Sequence, residues 1–204
     1  MLENKLNISN EIELSKEEER ITKLKALELY DTNKIYEFEI GKFSGLAKIH
    51  EYLFNDLYDF AGKIRSENIS KGNFRFAASL YLEDILKKID EMPQNTYEEI
   101  IKKYIEMNIA HPFREGNGRS MRLWLDMILR KELNQVIDWS QIKKEDYLMA
   151  MERSPIKDTE IRLLLQSALT TDIYNRQIYM KGIDASYNYE GYSTYSMMEL
   201  DKKN

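Results

Sequence analysis

The sequence predicts a mostly α-helical protein folded as a single domain. Three observations support this: Gly and Pro are scarce, with 8 and 3 copies, apolar residues recur at helical spacing, and 43% of the 204 residues are hydrophobic. Sheet proteins use many more turn residues than helical ones, and a chain of this length normally buries one core. We therefore expect one domain over residues 1–204, without internal repeats or a long linker.

The apolar spacing predicts a series of helices along the chain. They are expected over residues 15–30, 46–60, 77–92, 96–110, from about 117, 139–152 and 161–173. Gly62 is expected to end the second, and Thr96 with Glu99 resembles a capping box that begins the fourth.

Two segments differ from this helical pattern. Residues 63–78 contain Gly72 and alternate apolar with polar side chains, which predicts a small β-hairpin or extended flap. Six of the 14 tyrosines lie between Tyr174 and Tyr195. So many aromatic rings are unfavourable in water, so we expect the tail after Gly182 to dock on the domain.

The composition excludes several kinds of site. There is no cysteine, which rules out disulfides, thiolate metal sites and a cysteine nucleophile, and the only histidines are His50 and His111. The net charge of -5 argues against a protein that coats nucleic acid. We find neither a secretory signal nor an eighteen-residue apolar stretch, so we expect a cytoplasmic protein that does not bind membranes.

One loop combines several groups suited to a phosphorylated ligand. It reads His111-Pro112-Phe113-Arg114-Glu115-Gly116-Asn117-Gly118-Arg119 and is followed by Arg122. Glycines allow positive φ and close approach of backbone N–H groups to an anion, and a helix that begins near Asn117 directs its partial positive charge to the same place. Arginines three residues apart share one helical face and can bind a polyphosphate. His50 lies among apolar residues at helical spacing, and we expect it to be structural.

The loop matches the Fic family signature H-P-F-x-[D/E]-G-N-G-R-x-x-R at every fixed position. The resemblance covers about residues 46–169, because residues 49–54, 61–65 and 71–76 also look like the upstream part of Fic domains. Members typically transfer AMP from ATP to a hydroxyl of a target protein and release pyrophosphate. The resemblance implies that His111 is the general base, that Phe113 anchors the loop and that Glu115 binds Mg²⁺. The implied phosphate ligands are Gly116, Asn117, Gly118, Arg119 and Arg122.

The resemblance also implies a protein partner. The flap would pair with an extended segment of the target through main-chain hydrogen bonds; its residues are Lys71, Gly72, Asn73, Phe74, Arg75 and Phe76. Some small bacterial members act on DNA topoisomerase subunits, which makes such a subunit one candidate target. Tyr147 and Met151 are candidates for lining the adenine pocket.

A second family pattern, [S/T]-x-x-x-E-[G/N], is matched by Ser186, Glu190 and Gly191. Three other Ser-Glu pairs have the same spacing, but none of them continues with Gly or Asn. In relatives such a glutamate pairs with the second arginine of the loop, here Arg122, and spoils the placement of ATP. The resemblance implies a self-inhibited class with its inhibitory segment at about residues 183–197, which needs no separate antitoxin.

The tail also suggests two hypotheses about regulation. Tyr187 and Tyr189 border the glutamate, and modification of either by the enzyme itself would keep the inhibition off. Release of the tail through dissociation of a homo-oligomer would make activity depend on protein concentration.

Two other functions stay open at this stage. One is the reverse reaction, hydrolytic removal of AMP from a modified protein. The other is a binding module that senses a nucleotide without catalysis, which would bind ATP but release no pyrophosphate.

Overall fold

The core of the protein is built around one helix that is buried on nearly all sides. The structure is a computed structural model that describes residues 2–72 and 74–202. Its helices are α1 (Glu11–Asp31), α2 (Phe43–Phe54), α3 (Leu82–Glu91), α4 (Tyr97–Ala110), α5 (Asn117–Leu133), α6 (Lys144–Arg153), α7 (Thr159–Ser167), α8 (Arg176–Tyr189) and α9 (Met197–Asp201). None of the helices in these described ranges is both long and apolar enough to cross a membrane.

Helix α5 occupies the centre and packs against α2, α4 and α8. Its central apolar residues, among them Trp124, Leu125 and Ile128, are fully buried, as expected for a helix surrounded by others. Helix α4 begins at the capping box expected from Thr96 and Glu99. It ends at Ala110, and the next residue, His111, adopts the left-handed backbone conformation with a φ of 48°. The mostly helical prediction is therefore confirmed, and the end of α4 falls at the proposed base.

Two small antiparallel sheets of two strands each accompany the helices. The expected flap consists of β1 (Ser70–Lys71) and β2 (Phe74–Arg75), with Lys71 opposite Phe74. Asn73, which we assigned to the flap, lies outside the described residues. The second sheet pairs β3 (Val136–Ile137) with β4 (Leu169–Thr170). We missed it because strands of two residues, more than thirty positions apart, leave no periodic signal.

Several predicted helix boundaries were wrong. Helix α2 stops at Phe54, and the following chain continues in turns that still bury Leu57 and Tyr58. The segments expected as helices over 77–92 and 139–152 each begin with a 3-10 turn, Ser79–Tyr81 and Trp139–Gln141, before the α-helix starts. The last predicted helix, over 161–173, ends at Ser167 because the chain then enters β4. Apolar spacing reports which residues are buried, and turns can bury them as well as a helix can.

The tyrosine-rich tail docks on the domain, as expected. Helix α8 already begins at Arg176, and Gly182 lies inside it, facing Trp139. Lys23 of α1, which is buried, binds Glu19 at 3.1 Å, Asp184 at 2.8 Å and the carbonyl oxygen of Tyr195 at 2.5 Å. Helix α1 therefore holds both α8 and the segment that follows it against the core.

Candidate active site

Buried side chains on the core side of the loop between α4 and α5 fix its conformation. Phe113 is fully buried and stacks on His50 with ring centroids 3.9 Å apart. The side chain of Asn117 accepts a hydrogen bond from the Phe113 N–H and donates one to the Phe113 carbonyl, at 2.9 and 2.7 Å. These contacts hold the loop in one conformation, so its exposed groups are preorganised.

His50 also supports the loop and is not a second base. Its Nδ1 accepts a hydrogen bond from the N–H of Gly62, which leaves Nε2 to donate to the carbonyl oxygen of Glu115 at 2.8 Å. Burial lowers the pKa of His50 to about 3, so the ring stays neutral. The structural role expected for His50 agrees with this arrangement.

His111 lies at the edge of a cavity of about 730 Å³. Its Nδ1 is 3.3 Å from the carbonyl oxygen of Asn108. A carbonyl can only accept, so Nδ1 carries the proton and Nε2 is the basic nitrogen. Burial lowers the pKa of His111 to about 4, and the imidazole is therefore neutral near pH 7.

The amino terminus of α5 opens into the same cavity. No side chain caps it, so its first N–H groups are free to bind an anion. Gly116, just before the helix, has a φ of 76°, which suits glycine. Gly118 is needed for a different reason from the one we expected. It has no positive φ, but a Cβ there would lie only 2.2 Å from Oε1 of Glu190.

Glu115 faces the cavity with its side chain 42% exposed. Its Oε1 accepts hydrogen bonds from the Gly116 N–H at 2.9 Å and from Nη2 of Arg119 at 3.1 Å. Among the described residues no group of three or more His, Cys, Asp or Glu side chains could hold a metal. Mg²⁺ bound together with a nucleotide needs only one or two carboxylates, since phosphate and water supply its other ligands. A single exposed carboxylate fits that requirement.

Arg119 does not join the other predicted phosphate ligands. Its side chain has no exposed surface, and Nη1 binds Glu18 of α1 at 2.7 Å. Burial would raise the pKa of Glu18, but Arg119 and the hydroxyls of Tyr58 and Tyr192 keep it below its usual value. In this conformation Arg119 ties α5 to α1. The signature suggested a phosphate ligand because sequence spacing does not reveal a partner about a hundred residues away.

Arg122 does face the cavity, but its guanidinium is occupied. Nε donates to Oγ of Ser186 at 2.7 Å, and Nη2 donates to the Ser186 carbonyl oxygen at 2.8 Å and to Oε1 of Glu190 at 2.9 Å. Glu190 also lies 3.3 Å from Nζ of Lys71 on the flap. Burial would raise the pKa of Glu190, but Arg122 and Lys71 lower it to about 2. The residues of the second pattern and the second arginine of the loop are thus in direct contact.

The remaining candidates divide into cavity residues and buried ones. Tyr147 and Met151 both line the cavity, as do Lys71, Gly72, Phe74 and Phe76 of the flap. Tyr187 and Tyr189 are each only 2% exposed. The hydroxyl of Tyr189 is within 2.9 Å of the carbonyl oxygens of Trp139 and Ile142. Neither tail phenol can reach His111 while α8 is docked.

One residue that the sequence reasoning missed as a functional candidate is Arg65. It is 5% exposed, and its guanidinium donates to the carbonyl oxygens of His111, Glu67, Ala77 and Ala110 at 2.6–3.1 Å. It therefore joins the end of α4 to the base of the flap. Its place in the Fic-like stretch 61–65 was the only available signal.

Comparison with known proteins agrees with this geometry. Residues 42–129 match the Fic/DOC family. The chain is 28% identical over 187 residues to the protein adenylyltransferase VbhT of Bartonella schoenbuchensis, covering 86% of this chain but 38% of VbhT. It is 26% identical over 137 residues to the probable protein adenylyltransferase Fic of Salmonella typhimurium, covering 61% of this chain and 68% of that protein.

The fold is also that of solved Fic structures. The crystal structure of the BepC protein from Bartonella tribocorum, with bound AMPPNP, superposes with a TM-score of 0.66 at 19% identity. The match covers 83% of this chain and 92% of that one. The loop, the flap and the central helix therefore lie in a known helical architecture.

Proposed function

The chain belongs to the Fic/DOC family through its residues 42–129, and we propose that it transfers AMP from ATP to a hydroxyl of a target protein, releasing pyrophosphate. The observation that supports this most is the loop itself. It combines a neutral histidine at the cavity edge with an uncapped helix amino terminus and an arginine directed at the same space. Relatives named protein adenylyltransferase and a neighbour with bound AMPPNP agree with ATP as the substrate.

In the proposed reaction, Nε2 of His111 takes the proton of a Ser, Thr or Tyr hydroxyl as its oxygen attacks the α-phosphorus. The bond from the α-phosphorus to the bridging oxygen then breaks, and pyrophosphate leaves. The N–H groups at the start of α5 bind the phosphate oxygens and oppose the negative charge that develops during transfer. Glu115 would hold Mg²⁺, which neutralises phosphate charge. The flap supplies an exposed edge for the extended target segment, and Met151 with Tyr147 would line the adenine site.

We further propose that Glu190 inhibits this activity. Its carboxylate lies against Gly118 and pairs with Arg122, so it occupies both the anion site at α5 and the guanidinium that a terminal phosphate would need. ATP could then bind only with its phosphates displaced from the productive position. Because the segment belongs to the same chain, inhibition needs no second protein.

Modification of the tail by the enzyme itself would require an additional movement. Tyr187 and Tyr189 are buried, so α8 must leave its site before either hydroxyl could accept AMP. A modified phenol could not return to its packed position, and the inhibitory contact would stay open.

The position of the labelled phosphate in ATP distinguishes the candidate reactions. The Glu190→Gly variant is incubated with a cell lysate and with ATP labelled at either the α- or the γ-phosphate, and a topoisomerase subunit serves as one defined target. AMP transfer labels protein only from the α-position. Labelling from the γ-position would indicate phosphate transfer, removal of AMP from a premodified target would indicate the reverse reaction, and ATP binding without pyrophosphate release would indicate a binding module.

A further inference from the structure

The flap, which is proposed to bind the target, also contacts the candidate base. Phe76, which directly follows β2, stacks on the imidazole of His111 with ring centroids 3.7 Å apart and an interplanar angle of 17°. We propose that Phe76 is a positioning residue for His111, holding the imidazole so that Nε2 faces the reacting hydroxyl. This inference rests on the proposed role of His111 as the base.

The hydrogen bond of the His111 ring restrains it only weakly. The hydrogen bond from Nδ1 to Asn108 measures 3.3 Å, longer than the usual 2.7–3.2 Å for such bonds. His111 also has a φ of 48° at the end of α4, a conformation that few residues other than glycine adopt. A stacked aromatic ring restricts rotation about the side-chain bonds, which a single long hydrogen bond cannot do.

The backbone keeps Phe76 in register with His111. The N–H of Ala77 donates to the carbonyl oxygen of Ile109 at 2.9 Å. Arg65 donates to the Ala77 carbonyl at 2.6 Å and, through Nε, to the His111 carbonyl at 2.7 Å. The residue after Phe76 is therefore tied to the backbone at Ile109 and, through Arg65, at His111, which holds the backbones that carry the two rings side by side.

The stack also affects the charge of the imidazole. Burial lowers the pKa of His111, Lys71 and Arg65 lower it further, and Glu190 acts in the opposite direction. Replacing the Phe76 ring by a smaller side chain would admit water to one face, which favours the charged form. The imidazole would then be less often neutral and less well directed.

Nuclear magnetic resonance of the whole chain tests the contact without any activity measurement. The chain has two histidines, and His50 is a built-in reference because its ring neighbours are Phe54, Phe60 and Phe113. In Phe76→Leu we expect the Hε1 resonance of His111 to lose its ring-current shift and its titration to move to higher pH. The His50 signals should not move, and Phe76→Tyr should resemble the wild type.

Kinetics in the Glu190→Gly background test the positioning role. We expect Phe76→Leu to lower kcat for AMP transfer by about tenfold or more, with the KM for ATP unchanged and activity retained in Phe76→Tyr. Phe74→Leu is the comparison variant, since that ring contacts the edge of Phe76 at 5.1 Å and does not stack on His111. As a flap residue of the proposed target site, it should change the KM for the protein target and leave the His111 resonances in place.

The proposal is overturned if Phe76→Leu leaves the His111 resonances where Phe74→Leu leaves them, or if its effect is confined to KM. If the Glu190→Gly protein transfers no AMP at all, the proposed function fails, while the imidazole spectra still decide whether the stack positions the ring.

Discussion

Oε1 of Glu190 lies 2.9 Å from Nη2 of Arg122, and the same carboxylate lies against Gly118 at the uncapped start of α5. In the proposed mechanism, this carboxylate occupies the position that a phosphate of ATP would take. Arg122 and Lys71 lower the Glu190 pKa to about 2 despite its burial. A carboxylate whose pKa falls on folding stabilises the folded state above its ordinary pKa, and this contribution is lost only as pH falls from about 4.5 towards 2. The contact is therefore fully charged at neutral pH.

Ser186→Ala should raise AMP transfer, but less than removal of Glu190 does. The change deletes the Oγ acceptor at 2.7 Å from Nε of Arg122 but leaves the Ser186 carbonyl and Glu190 in place. Loss of one hydrogen bond to a charged group corresponds to about 1.5–3 kcal/mol. Initial rates with α-labelled ATP measure the effect, and a rate equal to that of the wild type would show that Oγ does not hold Arg122.

Arg119→Gln should mainly reduce stability. It leaves Glu18 buried without its cation, a change that costs about 3–5 kcal/mol. Urea denaturation should show this loss, and adding Glu18→Gln should recover part of it. If Arg119→Gln were as stable as the wild type yet failed to use ATP, Arg119 would be a phosphate ligand after all.

The pH dependence of the Glu190→Gly variant should report His111. The neutral imidazole is the reactive form and its pKa is lowered to about 4, so kcat/KM should be constant from about pH 6 to 8 and fall as the pH approaches 4. Removing Glu190 also removes a charge that raises this pKa. A decline centred near the ordinary histidine value of about 6.5 would mean that His111 is not buried as described.

Modification of the tail should depend on release of α8. Because Tyr187 and Tyr189 are each 2% exposed, we expect mass spectrometry after incubation with ATP and Mg²⁺ to find AMP on either residue faster in the Glu190→Gly variant than in the wild type. The fraction of peptides covering α8 that carry AMP, followed over time, measures the rate of modification. An active enzyme without any adduct on these residues would exclude the hypothesis.

Local sequence patterns predicted most of the fold, and the features that they missed are long-range contacts. The capping box of α4 and the flap lie in short stretches whose chemistry is self-contained, so the sequence could predict them. The pairing of β3 with β4 and the contact between Arg119 and Glu18 join distant segments. Such contacts depend on how the helices pack, and the local spacing of apolar residues does not determine that packing.

The candidate site shows the same division. The loop signature identified the residues around the cavity, and the second pattern identified Ser186 and Glu190. Neither pattern could reveal that Phe76 stacks on His111 or that Gly118 makes room for a carboxylate. Both contacts arise because the fold places the flap, α5 and α8 around one cavity.

The central claim is that Glu190 inhibits an AMP transfer carried out by His111. The most direct measurement compares incorporation from α-labelled ATP into protein by the wild type, Glu190→Gly and the double variant Glu190→Gly/His111→Ala, at equal concentration and with equal folding checked by circular dichroism. We expect Glu190→Gly to exceed the wild type by at least about tenfold, the equivalent of about 1.4 kcal/mol, and the double variant to be inactive. Equal incorporation by the wild type and Glu190→Gly would contradict the inhibition, and activity in the double variant would contradict the role of His111.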